Sequence, residues 1–155
     1  MSDSQRERAW KAHAEYNIRL NAIAEHRMKA EVGLAMADFS ILSILNVSPN
    51  QSLRMGTLAE VLAYSPSRLS YLVSSLVDRK LVKKTTSSSD GRGYVATLTP
   101  TGRVLWDRAD EIQHEVFTEY IVPMLSKEDH ENLIGIFNRI ADHLEFEMPG
   151  EESDE

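Results

Sequence analysis

The stretch LAEVLAYSPSRLSYLVSSL, residues 58–76, contains two short helices joined by an abrupt connection. The second has the plainest start in the chain. Ser65 can cap it, and Pro66 occupies the first helical position, where a missing N–H costs nothing. Leu69, Leu72, Val73 and Leu76 then fall at i, i+3, i+4 and i+7, which gives one apolar face to a helix expected to run to about Arg79. By subtraction the opposite face holds Ser67, Tyr71 and Ser74, with Arg68, Ser70 and Ser75 at its edges. The preceding helix is expected from about Met55 to Ala63, with Leu58, Val61 and Leu62 as its apolar face. Tyr64 and Ser65 are left to connect the two.

Working outward toward the C-terminus, residues 81–86 (LVKKTT), 87–93 (SSSDGRG) and 94–98 (YVATL) read as strand, turn-rich loop and strand, a β-hairpin. Its loop carries one arginine, Arg92, between Gly91 and Gly93. Thr99 and Pro100 repeat the cap-plus-proline start. Leu105, Ala109, Ile112, Val116 and Tyr120 extend an apolar stripe from there toward Pro123. Ser126 with Asp129 resembles a capping box, opening a last helix with Leu133, Ile136, Phe137, Ile140 and Leu144 on one side.

Toward the N-terminus, residues 38–47 (DFSILSILNV) form a short, strongly apolar helix that stops at Ser48, Pro49 and Asn50. Residues 4–29 lack proline and glycine, and Trp10, Ala14, Ile18 and Ala22 recur at every fourth position. That spacing predicts a long first arm with one apolar stripe. No internal repeat is visible.

The chain of 155 residues, 42% hydrophobic and 26% charged, fits a single domain, 1–155. Within it, 53–99 is a winged helix-turn-helix lobe, 4–30 and 100–147 a helical region, and 148–155, ending in EESDE, a tail expected to be disordered. The fold class is mainly α with a small β-hairpin wing. No apolar run approaches the ~20 residues of a membrane helix. The first thirty residues are charged throughout, unlike a signal peptide, so a cytoplasmic protein without membrane contact is expected. The absence of cysteine excludes disulfides, thiol redox sensing and cysteine-liganded metal.

A net charge of -7 argues against nucleic acid until its distribution is considered. From Arg54 to Arg103 there are eight basic residues and three acidic ones, a local charge of +5, and the remainder carries -12. A basic middle between acidic flanks is what a protein shows when only its middle meets phosphate. Two short helices and a hairpin with a basic, glycine-flanked tip make a winged helix-turn-helix. A helix face of small polar residues with one arginine and one tyrosine can enter the major groove, where serine and arginine reach base edges. A lone arginine on a loop is drawn into a narrow minor groove. Candidate DNA-binding residues are therefore Ser67, Arg68, Ser70, Tyr71, Ser74, Lys83, Lys84, Asp90 and Arg92. Several keep a second reading. Arg68 suits a base or a phosphate, Tyr71 can pack on the wing, strand alternation puts only one of Lys83 and Lys84 on the DNA side, and Asp90 before Gly91 is also an ordinary turn residue.

Neither catalysis nor metal binding is expected. The chain has no glycine-rich phosphate loop, Gly-x-Ser-x-Gly or His-Glu-x-x-His. Its histidines (His13, His26, His114, His130 and His143) form no helical ligand pair, and no cofactor is implied.

In element order, and over residues 10–144, the chain resembles the MarR (multiple antibiotic resistance regulator) family. The likeness rests on residues 58–76, on Leu81 and Val82 with the lysines that follow, and on Asp90, Gly91 and Arg92 leading to Leu98, Thr99 and Gly102. The resemblance implies that Arg92 contacts the minor groove while Asp90 holds the wing loop. Lys80 and Ala63 depart from it, standing where the family commonly has glycine. It further implies a homodimer formed through the first arm and the last two helices, with an effector site between arm and DNA-binding lobe near Trp10 and His13, although Trp10 also suits packing in the core or the dimer. On its own terms the sequence agrees, because three long amphipathic helices exceed what one small lobe needs to cover its core. The expectation is a homodimeric regulator, a repressor, that binds a near-palindromic operator in double-stranded DNA and is released by a small-molecule effector. The alternative is a winged-helix module for architecture or protein contacts, without operator specificity.

Overall fold

The computed structural model describes residues 3–86 and 93–143. The described residues form six α-helices and a three-stranded sheet: α1 (Asp3–Glu31), α2 (Met36–Val47), β1 (Ser52–Arg54), α3 (Met55–Val61), α4 (Pro66–Asp78), β2 (Val82–Thr86), β3 (Tyr94–Leu98), α5 (Pro100–Tyr120) and α6 (Lys127–His143). No single described helix is long and apolar enough to cross a membrane. The tail at 148–155 lies outside the described residues.

The caps expected at three helix starts are all present. The Ser65 hydroxyl accepts the Arg68 N–H at 3.3 Å, and Thr99 accepts that of Gly102 at 2.9 Å. In the capping box, Ser126 accepts the Asp129 N–H at 3.2 Å while Asp129 accepts the Ser126 N–H at 2.8 Å. These bonds lower the Asp129 carboxyl below the usual aspartate range, the Ser126 hydroxyl being the largest cause.

The sheet is antiparallel with order β1-β3-β2. β2 meets β3 from Val82 opposite Leu98 to Thr86 opposite Tyr94. The third strand, β1, pairs Ser52 with Thr97, and their hydroxyls lie 2.8 Å apart. It escapes a sequence reading because three residues show no alternation, and their partner lies 45 positions away.

The core gathers Leu34, Ile41, Leu42 and Leu45 with Leu58 of α3, Leu69, Val73 and Leu76 of α4, and Val82, Ala96 and Leu98 of the sheet. From α1, which packs against α5 and α2, it takes Ala24 and Met28. The stripe of Trp10, Ala14, Ile18 and Ala22 faces away from it, and Trp10 and Ile18 are 68% and 70% exposed. Core packing of Trp10 within its own chain is thereby excluded. Among the described residues α6 has no more than grazing contact with any other element, and its Ile136, Phe137 and Ile140 are exposed.

Candidate nucleic-acid interface

Both helices of the helix-turn-helix end the same way, and their ends set the site. The Tyr64 N–H bonds to Ala59 O at 2.9 Å and the Ala63 N–H to Glu60 O at 3.1 Å. One helix later, the Leu81 N–H bonds to Leu76 O and the Lys80 N–H to Val77 O, both at 2.9 Å. Each pair is a Schellman motif, which needs a left-handed residue at its turning point. Ala63 (φ 50°) and Lys80 (φ 60°) supply it, at the two positions where the sequence departs from glycine.

With α4 anchored by Leu69, Val73 and Leu76, the opposite face stands in solvent. Ser67, Arg68, Tyr71 and Ser74 are exposed, whereas Ser70 is half-buried at the edge. Tyr71 is 76% exposed among the described residues, and the wing loop against which it can pack lies outside them. The strand register puts Lys83 and Lys84 on opposite faces. Lys83 is exposed beside Thr97, while Lys84 follows the buried Val82 and sets its ammonium 4.5 Å from the Tyr94 ring centroid. Asp90 and Arg92 fall outside the described residues.

Two contacts that a sequence reading overlooks hold this surface. The Arg68 guanidinium lies 4.2 Å from the centroid of the Tyr64 ring. The available signal was an aromatic residue four positions ahead of the arginine, across a helix break. At the far end of α4, Arg79 donates to Asp38 Oδ2 at 3.0 Å and to Gly33 O at 2.9 Å. That arginine, counted among the basic residues of the middle segment, is a tie between α4 and the corner before α2. Thr99 closes the same end, its hydroxyl directed at Lys80 O (2.8 Å) and Leu81 O (3.0 Å).

Away from this surface, Trp10 and His13 meet on α1 with ring centroids 5.4 Å apart. His13 Nδ1 lies 2.8 Å from the Tyr16 hydroxyl, and Asn17 Nδ2 lies 2.9 Å from His13 Nε2. Among the described residues no three His, Asp or Glu side chains converge as a metal site would require.

Comparison with known proteins places these features in a family. A family model described as the MarR family matches residues 32–93. An HTH-type transcriptional repressor of Mycobacterium tuberculosis is 33% identical over 81 residues, 52% of this chain, and the chain spans 57% of that relative's length. The crystal structure of AbsC, a MarR family transcriptional regulator from Streptomyces coelicolor, is 30% identical with a TM-score of 0.76, covering 94% of this chain and 97% of AbsC. The repressor CouR, solved on a 23-mer DNA duplex, is 25% identical with a TM-score of 0.71, over 84% of this chain and 89% of CouR. At 30% identity over nearly the whole of both chains, the chain belongs to the MarR family of transcriptional regulators.

Proposed function

We propose that the protein is a homodimeric, sequence-specific repressor that binds double-stranded DNA. The observation that carries this reading is the outward face of α4, where Ser67, Arg68, Tyr71 and Ser74 stand exposed on a helix whose other face is locked into the core. Such a face fits a major groove about 12 Å wide and has hydrogen-bonding groups for base edges. Lys83 adds a cation for phosphate, and Arg92, with Asp90 holding its loop, enters the adjacent minor groove. CouR, with the same fold, is a repressor seen on DNA.

Dimerisation is supported by the apolar surface the single chain leaves uncovered, namely Ile136, Phe137 and Ile140 of α6 and Trp10 and Ile18 of α1. A two-fold axis through these helices sets two α4 helices on one face of DNA, so the operator is near-palindromic with half-sites ~34 Å apart. The effector site is the space between arm and DNA-binding lobe, with Trp10 and His13 at its arm side. A small molecule there releases the operator through its preference for a spacing of the α4 helices that does not match DNA.

Selection of bound fragments from sheared DNA of the source genome tests the reading. The expected result is enrichment of a shared near-palindrome, lost in Arg92→Ala while fold and dimer persist. Fragments that share no sequence would instead favour the architectural or protein-contact module. If small phenolic acids, metabolites and drugs at saturation leave DNA affinity unchanged, release by an effector is removed from the account.

A further inference from the structure

The contact between Arg68 and Tyr64 reaches further than a surface packing detail. Arg68 sits in the first turn of α4, where the positive end of the helix dipole disfavours a cation. Its guanidinium nevertheless lies 4.2 Å from the Tyr64 ring centroid. Tyr64 itself is not adjustable. It is the residue that closes the Schellman motif of α3 through its N–H to Ala59 O, it is half-buried, and it packs against the core. Ser65, next in the chain, fixes the Arg68 backbone through its cap and sits 3.2 Å, hydroxyl to hydroxyl, from Ser67. Backbone and ring therefore constrain the arginine from both ends.

A guanidinium resting on an aromatic face loses rotamer freedom before any ligand arrives, yet keeps the N–H groups around its edge. Those edge donors match the O6 and N7 acceptors of guanine, the commonest specific arginine contact in a major groove. We infer that Tyr64 is a positioning residue for sequence readout, holding Arg68 so that its edge reads a guanine in each half-site. This rests on the DNA-binding reading of α4. Tyr64 touches no base in this account and acts only through Arg68.

The test is selection from a randomised duplex library, sequenced after binding, with wild type, Tyr64→Phe, Tyr64→Leu, Tyr64→Met and Arg68→Ala compared column by column. Wild type should enrich guanine at one symmetry-related column, and Arg68→Ala should flatten that column. Tyr64→Leu and Tyr64→Met should lower its guanine preference by roughly fivefold and leave other columns unchanged. Tyr64→Phe, which keeps the ring face, should restore it. A general loss of stability would lower every column together and would not spare one. Should Arg68→Ala flatten a column that both aliphatic variants keep, the inference is overturned and the DNA reading stands. A library with no enriched motif, or an Arg68→Ala motif identical to wild type, overturns it at its foundation. Thermal melts establish that the variants fold. If the aliphatic variants do not, NMR of the wild-type Arg68 side chain decides. A ring-shifted, ordered Nε–H is expected, and a disordered one without ring shift contradicts the stacking.

Discussion

Lys80 and Ala63 carry a cost the rest of the lobe must cover. Each holds a left-handed backbone with a Cβ attached, a conformation that disfavours non-glycine residues by roughly 1–2 kcal/mol. Lys80→Gly should therefore stabilise the protein by about 0.5–1 kcal/mol, the relief being partly offset by the greater freedom of glycine in the unfolded chain. Urea denaturation of the purified variant measures this, and a midpoint lower than wild type would show that the lysine side chain compensates for its backbone. The opposite holds at Gly102. A Cβ there meets the Leu81 carbonyl oxygen and comes within 2.9 Å of Leu98 Cδ1, so neither backbone nor core leaves room. Gly102→Ala is expected to cost about 1–3 kcal/mol in the same measurement. Much at this scale was legible beforehand. Caps at Ser65, Thr99 and Ser126 follow from local chemistry, and the two glycine departures mark the two strained turns. Tyr64 beneath Arg68 was not, because a helix break separates them and no periodic rule spans it.

At the scale of elements, α4 is held at its C-terminal end by a tie that no local pattern announces. Arg79 and Asp38 are 41 residues apart, and only the folded path brings the guanidinium to a carboxylate that is 8% exposed on its residue. Among the described residues, Arg79→Leu leaves that carboxylate the long contact to the Ala35 N–H at 3.4 Å. Because Arg79 is itself about a third exposed, solvent tempers the loss to roughly 1–2 kcal/mol. A double-mutant cycle with Asp38→Ala reads the coupling, and full additivity would show that the tie is incidental. α6 offers a second element-scale expectation. The Asp129 carboxyl is depressed by its capping bonds with Ser126, so its contribution is present above the ordinary aspartate range and fades as pH falls through the lowered value. Asp129→Ala should lower the melting temperature at neutral pH and approach wild type at about pH 2. An equal deficit at both pH values would place the effect outside the ionised cap. The Arg27–Glu119 ion pair, which lowers the Glu119 carboxyl, fades in the same direction. Element order was legible because amphipathic spacing and proline starts mark each helix. β1 was not, since its existence depends on β3.

For the whole molecule, the periodicity of α1 and α6 revealed apolar stripes but not what covers them. Within one chain the Trp10 and Ile18 stripe and the Ile136, Phe137 and Ile140 stripe both stay exposed, and a second copy is the covering the account requires. Phe137→Asp should convert a dimer into a monomer in sedimentation velocity at micromolar concentration. A wild-type monomer under those conditions would remove the two-fold operator. Charge distribution belongs to this scale as well. A total of -7 with +5 concentrated between Arg54 and Arg103 predicts binding confined to one face and a marked salt dependence. Asp90 and Arg92 of the wing lie outside the described residues, and DNA binding by their alanine variants decides their part.

The central claim is sequence-specific recognition of duplex DNA. Its most direct test is fluorescence anisotropy of a labelled duplex from the DNA flanking this protein's own coding region, titrated against an unrelated duplex at two salt concentrations. The account predicts tight binding to the flanking duplex that persists at the higher salt, where the unrelated duplex is released. Weak and equal binding to both, falling together as salt rises, would contradict operator recognition at that locus and support the architectural or protein-contact module.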